Sequence, residues 1–319
     1  MSDHAPAHRR NLALLWLVGI TALLALGLAS GGFRALLVDA LRQVTWASVL
    51  ATLPGQIAAS LLCAAALHAL RPGVGFLGSL NSRLLRDAGD NLLVFMPGLG
   101  EVIGARALVL AGGRTRAAVT ASALDKFAET LAQVPYIALA AVVLLQGWNG
   151  ELPDFPAPAT IAIALGATIV GCAIFWRLAR SQHGIAGRLA ARFREEYALL
   201  AGEMRQQRAG LPLSTGLHFL AWVMGGIQIW MAAQALGFDI GPYEAIAIES
   251  AAYAGRAILF FIPAGLVTQE AGLVAAGLVF GLAPAESLAL ALVLRLRDVM
   301  FGLPLLAWPL MELRRSRQT

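Results

Sequence analysis

Asp125, Glu129 and Gln133 stand four residues apart in an otherwise apolar stretch, so on a helix they share one face. Carboxylates so placed can hold arginines, carry protons, or act as general acid and base beside a polar headgroup. The same half of the chain offers Glu101, Arg106 and Lys126 in apolar surroundings, and the other half offers Glu249, Arg256, Glu270, Arg295, Arg297 and Asp298. Glu249 and Arg256 are seven residues apart and share a helix face, while Arg295 and Asp298 are three apart and can pair. A charge at the centre of a bilayer costs ~2.5–3.5 kcal/mol on insertion scales, so such groups must face partners or water. Structural ion pairs are the plainer reading of any single pair. So many charges gathered beside two helix breaks favour a site.

The setting is a membrane. Of 319 residues, 58% are hydrophobic and 13% charged, against about 25% charged in soluble domains. Mean hydropathy is +0.71. The net charge of +5 does not point to nucleic acid, because the basic residues cluster in short loops between apolar runs. Cys63 and Cys172 each lie in an apolar run, and the five histidines show no metal-ligand spacing, so neither a metal nor another cofactor is expected. Gly98, Gly100 and Gly104 lack both the spacing and the βαβ setting of a dinucleotide loop.

Full spans are predicted at about 11–30, 47–69, 118–146, 158–178, 211–236 and 285–311. Two further apolar stretches, about 83–112 and 243–283, are interrupted by Pro and Gly, as two short spans or one re-entrant hairpin each. The first span is expected to be a retained helix and not a cleaved signal, with Arg9 and Arg10 on the cytoplasmic side. Arg71, Arg83, Arg86, Arg114 and Arg116 read as basic loop residues, residues 147–157 carry no Lys or Arg, and residues 237–244 are acidic through Asp239 and Glu244. Residues 179–208 are rich in arginine and form a cytoplasmic loop or an amphipathic surface helix. This alternation puts both termini in the cytoplasm, provided each broken stretch returns to the side it entered from. Tryptophans 16, 46, 148, 176, 222, 230 and 308 are expected at span ends, and His68 and His218 at span ends or helix contacts.

The two broken stretches match. Residues 92–97 read LLVFMP and residues 258–263 read ILFFIP. After each proline come glycines, then a carboxylate (Glu101 or Glu270) in or before an apolar helix with a Gly-x-x-x-Gly (Gly100/Gly104, which straddles Glu101, or Gly277/Gly281), then a span bearing Asp125 or Asp298. The Gly-x-x-x-Gly pairs are read as close helix packing. Two spans precede Pro97 and five precede Pro263, so the segments enter from opposite faces. The predicted fold is all-α: one polytopic membrane domain of two inverted-topology repeats, 11–146 and 158–311, each with three spans and one broken or re-entrant segment, with the cytoplasmic loop 179–208 inside the second half.

At these residues the chain resembles the membrane domain of the lysylphosphatidylglycerol synthetase (flippase-like) family, and within it the hopanoid-biosynthesis-associated HpnL-type branch. The resemblance rests on Asn91, Pro97, Gly100-Glu101 and Arg106; on Asp125 and Glu129; on Glu249-Ser250, Arg256, Pro263, Gly265 and Gln269-Glu270; and on Arg295, Arg297-Asp298 and Gly302. The broader family usually has its arginine three residues after the Gly-Glu, where this chain has Gly104; a glycine common in the second break is Val267 here. The resemblance implies a lipid-handling protein and brings Asn91 and Gln269 into the candidate site. The synthetases add a soluble aminoacyl-transferase domain that is not read here, so lipid aminoacylation is not expected.

The expected substrate-binding set is Asn91, Glu101, Arg106, Asp125, Glu129, Glu249, Arg256, Gln269, Glu270, Arg295 and Asp298. Arg106, Arg256 and Arg295 are expected to attract an anionic or polyhydroxylated headgroup, with Glu101, Glu270, Asp125 and Asp298 holding them or carrying protons if transport is proton-coupled. The leading expectation is a non-enzymatic lipid transporter or flippase of the bacterial inner membrane, with a membrane lipid such as a hopanoid as cargo. The alternatives are an intramembrane enzyme on lipid-linked substrates and an accessory scaffold recruiting lipid-biosynthesis enzymes through 179–208. A homo-oligomer is also considered.

Overall fold

The computed structural model describes residues 31–93, 98–147, 205–258 and 266–309, together with 312 and 314. All regular structure among these residues is helical. The predicted spans 11–30 and 158–178, and residues 179–204 of the arginine-rich segment, lie outside the described residues.

Among the described residues ten α-helices follow one another: α1 (Gly31–Gln43), α2 (Trp46–Ala51), α3 (Leu53–Ala69), α4 (Phe76–Leu92), α5 (Leu99–Leu110), α6 (Thr115–Gly147), α7 (Leu211–Leu236), α8 (Pro242–Ile258), α9 (Leu266–Val279) and α10 (Pro284–Gly302). Thr45 and Ser48 cap the start of α2 reciprocally, satisfying end N–H groups that an apolar setting would leave orphaned. Among the described residues, two helical runs are long and apolar enough to cross a membrane, Trp46–Ala69 and Arg205–Leu236. The first agrees with the predicted span 47–69. The second extends the predicted span 211–236 backward by a turn, so Arg205–Gln207 are helical and Gln207 donates to the carbonyl of Ala117 at 3.0 Å.

Within both broken stretches the described residues form two helices packed directly on each other, α4 on α5 and α8 on α9. At 1.5 Å per residue α4 is about 25 Å long and α5 about 18 Å. Each falls short of the ~30 Å hydrocarbon core. Gly98, at φ +82°, caps the restart of the chain into α5, a conformation that strains any side-chain-bearing residue.

Glycine sets how closely these helices pack. A Cβ on Gly104 would lie 3.0 Å from the Cβ of Arg86 on α4, so a side chain there would push the two helices apart by a few tenths of an ångström. Gly225 and Gly226 bring α7 against α8 in the same way. The second Gly-x-x-x-Gly is corrected: Gly277 packs on Ser287 of α10, but Gly281 lies beyond α9 in a left-handed turn at φ +81°.

Apolar packing is divided between two clusters. Leu67, Leu70, Leu108, Ala118, Ala121 and Leu124 join α3, α5 and α6. A larger one joins α7, α8, α9 and α10 with Ala40 and Val49. Phe127, Leu131 and Val134 sit exposed on one side of α6, while Ala121, Asp125, Ala128, Ala132 and Tyr136 are buried on the other. The apolar side suits lipid, and the buried side carries the polar groups inward.

Candidate functional site

The charges meet where α4, α5, α6 and α7 converge. Arg83 and Arg86, one turn apart on α4, both reach Asp125 of α6, at 3.0 and 2.7 Å. Both also reach Glu129, one turn further along α6, at 3.1 and 2.5 Å. Glu101 of α5 accepts from Arg86 at 3.4 Å and lies 3.3 Å from Lys126. Asp87 pairs with Arg83 at 3.0 Å, and Asp90 lies 4.0 Å from Arg86. From α7, His218 Nε2 stands 2.8 Å from the other oxygen of Asp125, and its Nδ1 is 3.8 Å from Cys63 Sγ. Asp125 thus receives two guanidinium groups and an imidazole, enough to satisfy a buried carboxylate.

A second group lies on α7, α8, α9 and α10. Arg297 donates to Asp298 at 2.7 and 3.2 Å and also to the Gln228 side chain. Arg295 donates to Glu270 at 2.8 Å and to Gln269 at 3.2 Å, and lies 4.0 Å from Asp298. Glu249 accepts from Tyr136 Oη at 2.5 Å. Trp222 stacks on Tyr136 with centroids 6.0 Å apart and meets Tyr253 edge-on at 4.5 Å.

Between the groups lies a cavity of about 560 Å³, lined by six helices. Gln56, Ser60 and Cys63 come from α3; Arg83, Asp87, Asp90 and Asn91 from α4; Lys126, Glu129 and Gln133 from α6. His218, Trp222, Gly225 and Gln228 come from α7, Glu249 and Tyr253 from α8, and Arg297 and Asp298 from α10. Its volume falls in the range of small-molecule sites. Among these residues the carboxylates Asp87, Asp90, Glu129, Glu249 and Asp298 outnumber the cations Arg83, Lys126 and Arg297.

Several expected site residues are brought together here. Asn91, Glu129, Glu249 and Asp298 line the cavity, and the face shared by Asp125, Glu129 and Gln133 does point inward. Glu101 and Asp125 stand behind the wall, tied to it through Arg86 and Lys126. Gln269, Glu270 and Arg295 form a separate cluster that touches the wall only through Asp298. Arg256 lies on α8, and its side chain lies outside the described residues.

Arg106 is corrected. Its side chain is exposed on α5 and forms a two-pronged pair with Glu312, at 2.7 and 2.8 Å, not with Glu101. The reason is the packing of α5: the face bearing Gly100 and Gly104 is pressed on α4, which turns Arg106 away. Trp222 is corrected too. It sits within α7 against the cavity and donates from its indole to the Glu129 carbonyl at 3.3 Å, which is no interfacial anchor.

Sequence reasoning missed Arg83 and Arg86, which it assigned to a basic loop. They are buried on α4. Positions 83, 86, 87 and 90 follow a helical i, i+3, i+4, i+7 rhythm, and that was the readable signal. No spacing pointed to Tyr136.

Residues 10–305 match the family described as lysylphosphatidylglycerol synthase TM region. The chain belongs to that family. It is therefore a membrane protein of a family tied to membrane-lipid biosynthesis or modification. No curated protein and no solved structure matches it.

Proposed function

We propose that this member of the lysylphosphatidylglycerol synthase TM-region family moves a lipid headgroup across the bacterial inner membrane through the cavity between its helices. The observation that carries the reading is a walled, charge-lined space inside a membrane domain, its wall drawn from six helices. Charges inside a bilayer protein are expensive and mark pathways for polar cargo.

The helix order supports an inverted repeat. The series α3–α4–α5–α6 is matched in order by α7–α8–α9–α10, with the Pro97 and Pro263 stretches of the sequence falling at the same place in each series. Alternation of basic and non-basic loops supports opposite orientations, with both termini in the cytoplasm. The cavity then lies at the interface of the halves, where transporters of this architecture hold cargo.

The wall chemistry changes the expected cargo. With carboxylates in excess, and Arg83 and Arg297 each already paired, an amine- or hydroxyl-bearing headgroup suits the wall better than a bare anion. A polyhydroxylated hopanoid, as the HpnL-type resemblance suggests, fits this description.

The test is translocation of acyl-labelled phosphatidylethanolamine in phosphatidylcholine vesicles containing the purified full chain. Label should exchange between leaflets faster than in empty vesicles, and Glu129→Gln or Arg297→Gln should slow it at least about tenfold, the loss expected for one charge-assisted contact. Exchange equal to that of empty vesicles refutes transport. Chemically altered lipid at the end of the assay would instead favour the enzyme reading.

A further inference from the structure

We propose that Glu249 and Tyr136 form a proton-binding pair, and that a proton competes there with the lipid headgroup; the coupling rests on the transport reading above. Among the described residues, each other carboxylate of the cavity wall lies within 4.0 Å of a cation, Asp90 the most loosely, from Arg86. Glu129 has Arg83 and Arg86, Asp87 has Arg83, and Asp298 has Arg297. Glu249 differs. Among the described residues it has no ion-pair partner, and its side chain is held by a hydroxyl, Tyr136 Oη, at 2.5 Å.

The pair is built into the fold. Tyr136 is fully buried on α6, stacked on Trp222, and Ser250 of α8 donates to its backbone carbonyl at 3.3 Å. Gly225 of α7 lies so close behind the Glu249 carboxyl that no side chain fits between. A carboxylate seated there, with one neutral donor, is cheaper to bury with a proton than with its charge. Yet it faces the cavity, so the proton has a route in and out.

The groups around it define the exchange. α6 presents Tyr136, α10 presents Arg297 and Asp298, and Tyr253 stands on the same helix as Glu249. α7 contributes Trp222 and Gln228 without charge, and on α9 Glu270 is engaged with Arg295. Arg297 is already committed to Asp298 and Gln228. When the proton leaves, Glu249 becomes an anion on the cavity wall and a ligand for an ammonium or hydroxyl headgroup. When the proton returns, that ligand is withdrawn and the headgroup released. One proton added to one Glu249 oxygen balances one unit of positive charge displaced.

Two measurements on the full-length protein test this. Infrared difference spectra across a pH series should show the carbonyl stretch of a protonated carboxylic acid that Glu249→Gln abolishes, while Tyr136→Phe retains it at a different midpoint. A Glu249→Gln spectrum superimposable on that of the wild type overturns the pair. In phosphatidylcholine vesicles with acyl-labelled phosphatidylethanolamine, a gradient of one pH unit should shift the steady-state leaflet ratio by up to about tenfold for one proton per lipid. In Glu249→Gln the ratio should not respond. A wild-type ratio indifferent to the gradient overturns the coupling. Lipid that stays in place in the wild type at every gradient sinks transport and coupling together, whereas moving lipid without the infrared band sinks the proton pair alone.

Discussion

Arg86 Nη1 lies 2.7 Å from Asp125 Oδ2, with the two side chains 5% and 1% exposed. Arg106 and Glu312 make an equally short pair at 47% and 32% exposure. Removing one partner of a buried pair strands the other charge and costs about 3–5 kcal/mol. Removing one partner of an exposed pair costs little, because water solvates the charge left behind. Arg86→Ala should therefore lower the unfolding midpoint in detergent sharply, and Arg106→Ala barely. Equal midpoints would mean that water or lipid headgroups already solvate the inner cluster. A double-mutant cycle of Arg86→Ala with Asp125→Asn should return a coupling of about 0.5–3 kcal/mol, because Arg83 and His218 still hold the aspartate.

That contrast also marks what local spacing can and cannot reveal. Spans at 47–69 and 211–236, the break near Pro97, and the inward face of Asp125, Glu129 and Gln133 were legible, since apolar runs, proline and helical period are properties of a short window; the stretch around Pro263 lies outside the described residues. Arg83 and Arg86 were not separable from orientation signals by composition, because an arginine after a span looks the same whether the chain there is a loop or a helix. Only their period with Asp87 and Asp90 distinguishes the cases. Tyr136 with Glu249, and Arg106 with Glu312, are partnered across 113 and 206 residues. Such meetings are set by how helices pack, which no local pattern carries.

Two glycines of α7 should respond oppositely to the same substitution. Gly225→Ala drives a methyl into the Glu249 carboxyl and should destabilise by about 1–3 kcal/mol. Gly216 has open space around its Cβ position, so Gly216→Ala should stabilise the helix by about 0.5–1 kcal/mol. Thermal unfolding in detergent reads both. If the two shifts share a sign, α7 and α8 are not as close as described.

Lys126 lines the cavity, whereas Arg106 points away from it. In the phosphatidylethanolamine assay, Lys126→Gln should change the rate of exchange several-fold, and Arg106→Gln should leave it within error of the wild type. A strong effect of Arg106→Gln alone would move the lipid path to the outer face of α5.

The excess of carboxylates on the wall makes its own prediction, and Asp90 is the residue on which to test it. It lines the cavity and is only loosely held, 4.0 Å from Arg86 and 27% exposed, so it has capacity left for a donor from a headgroup. A hydrogen bond to a charged group contributes about 1.5–3 kcal/mol, which corresponds to roughly tenfold or more in relative rate. The wild type should then exchange acyl-labelled phosphatidylethanolamine, whose headgroup carries an amine, faster than acyl-labelled phosphatidylglycerol, whose net charge is negative. Asp90→Asn removes the charge while keeping the shape, and should reduce that preference by about tenfold, mainly through slower exchange of the amine lipid. An unchanged ratio in Asp90→Asn would show that the wall selects by size and hydroxyl contacts and not by charge. The polyhydroxylated cargo would then be the better fit for this cavity.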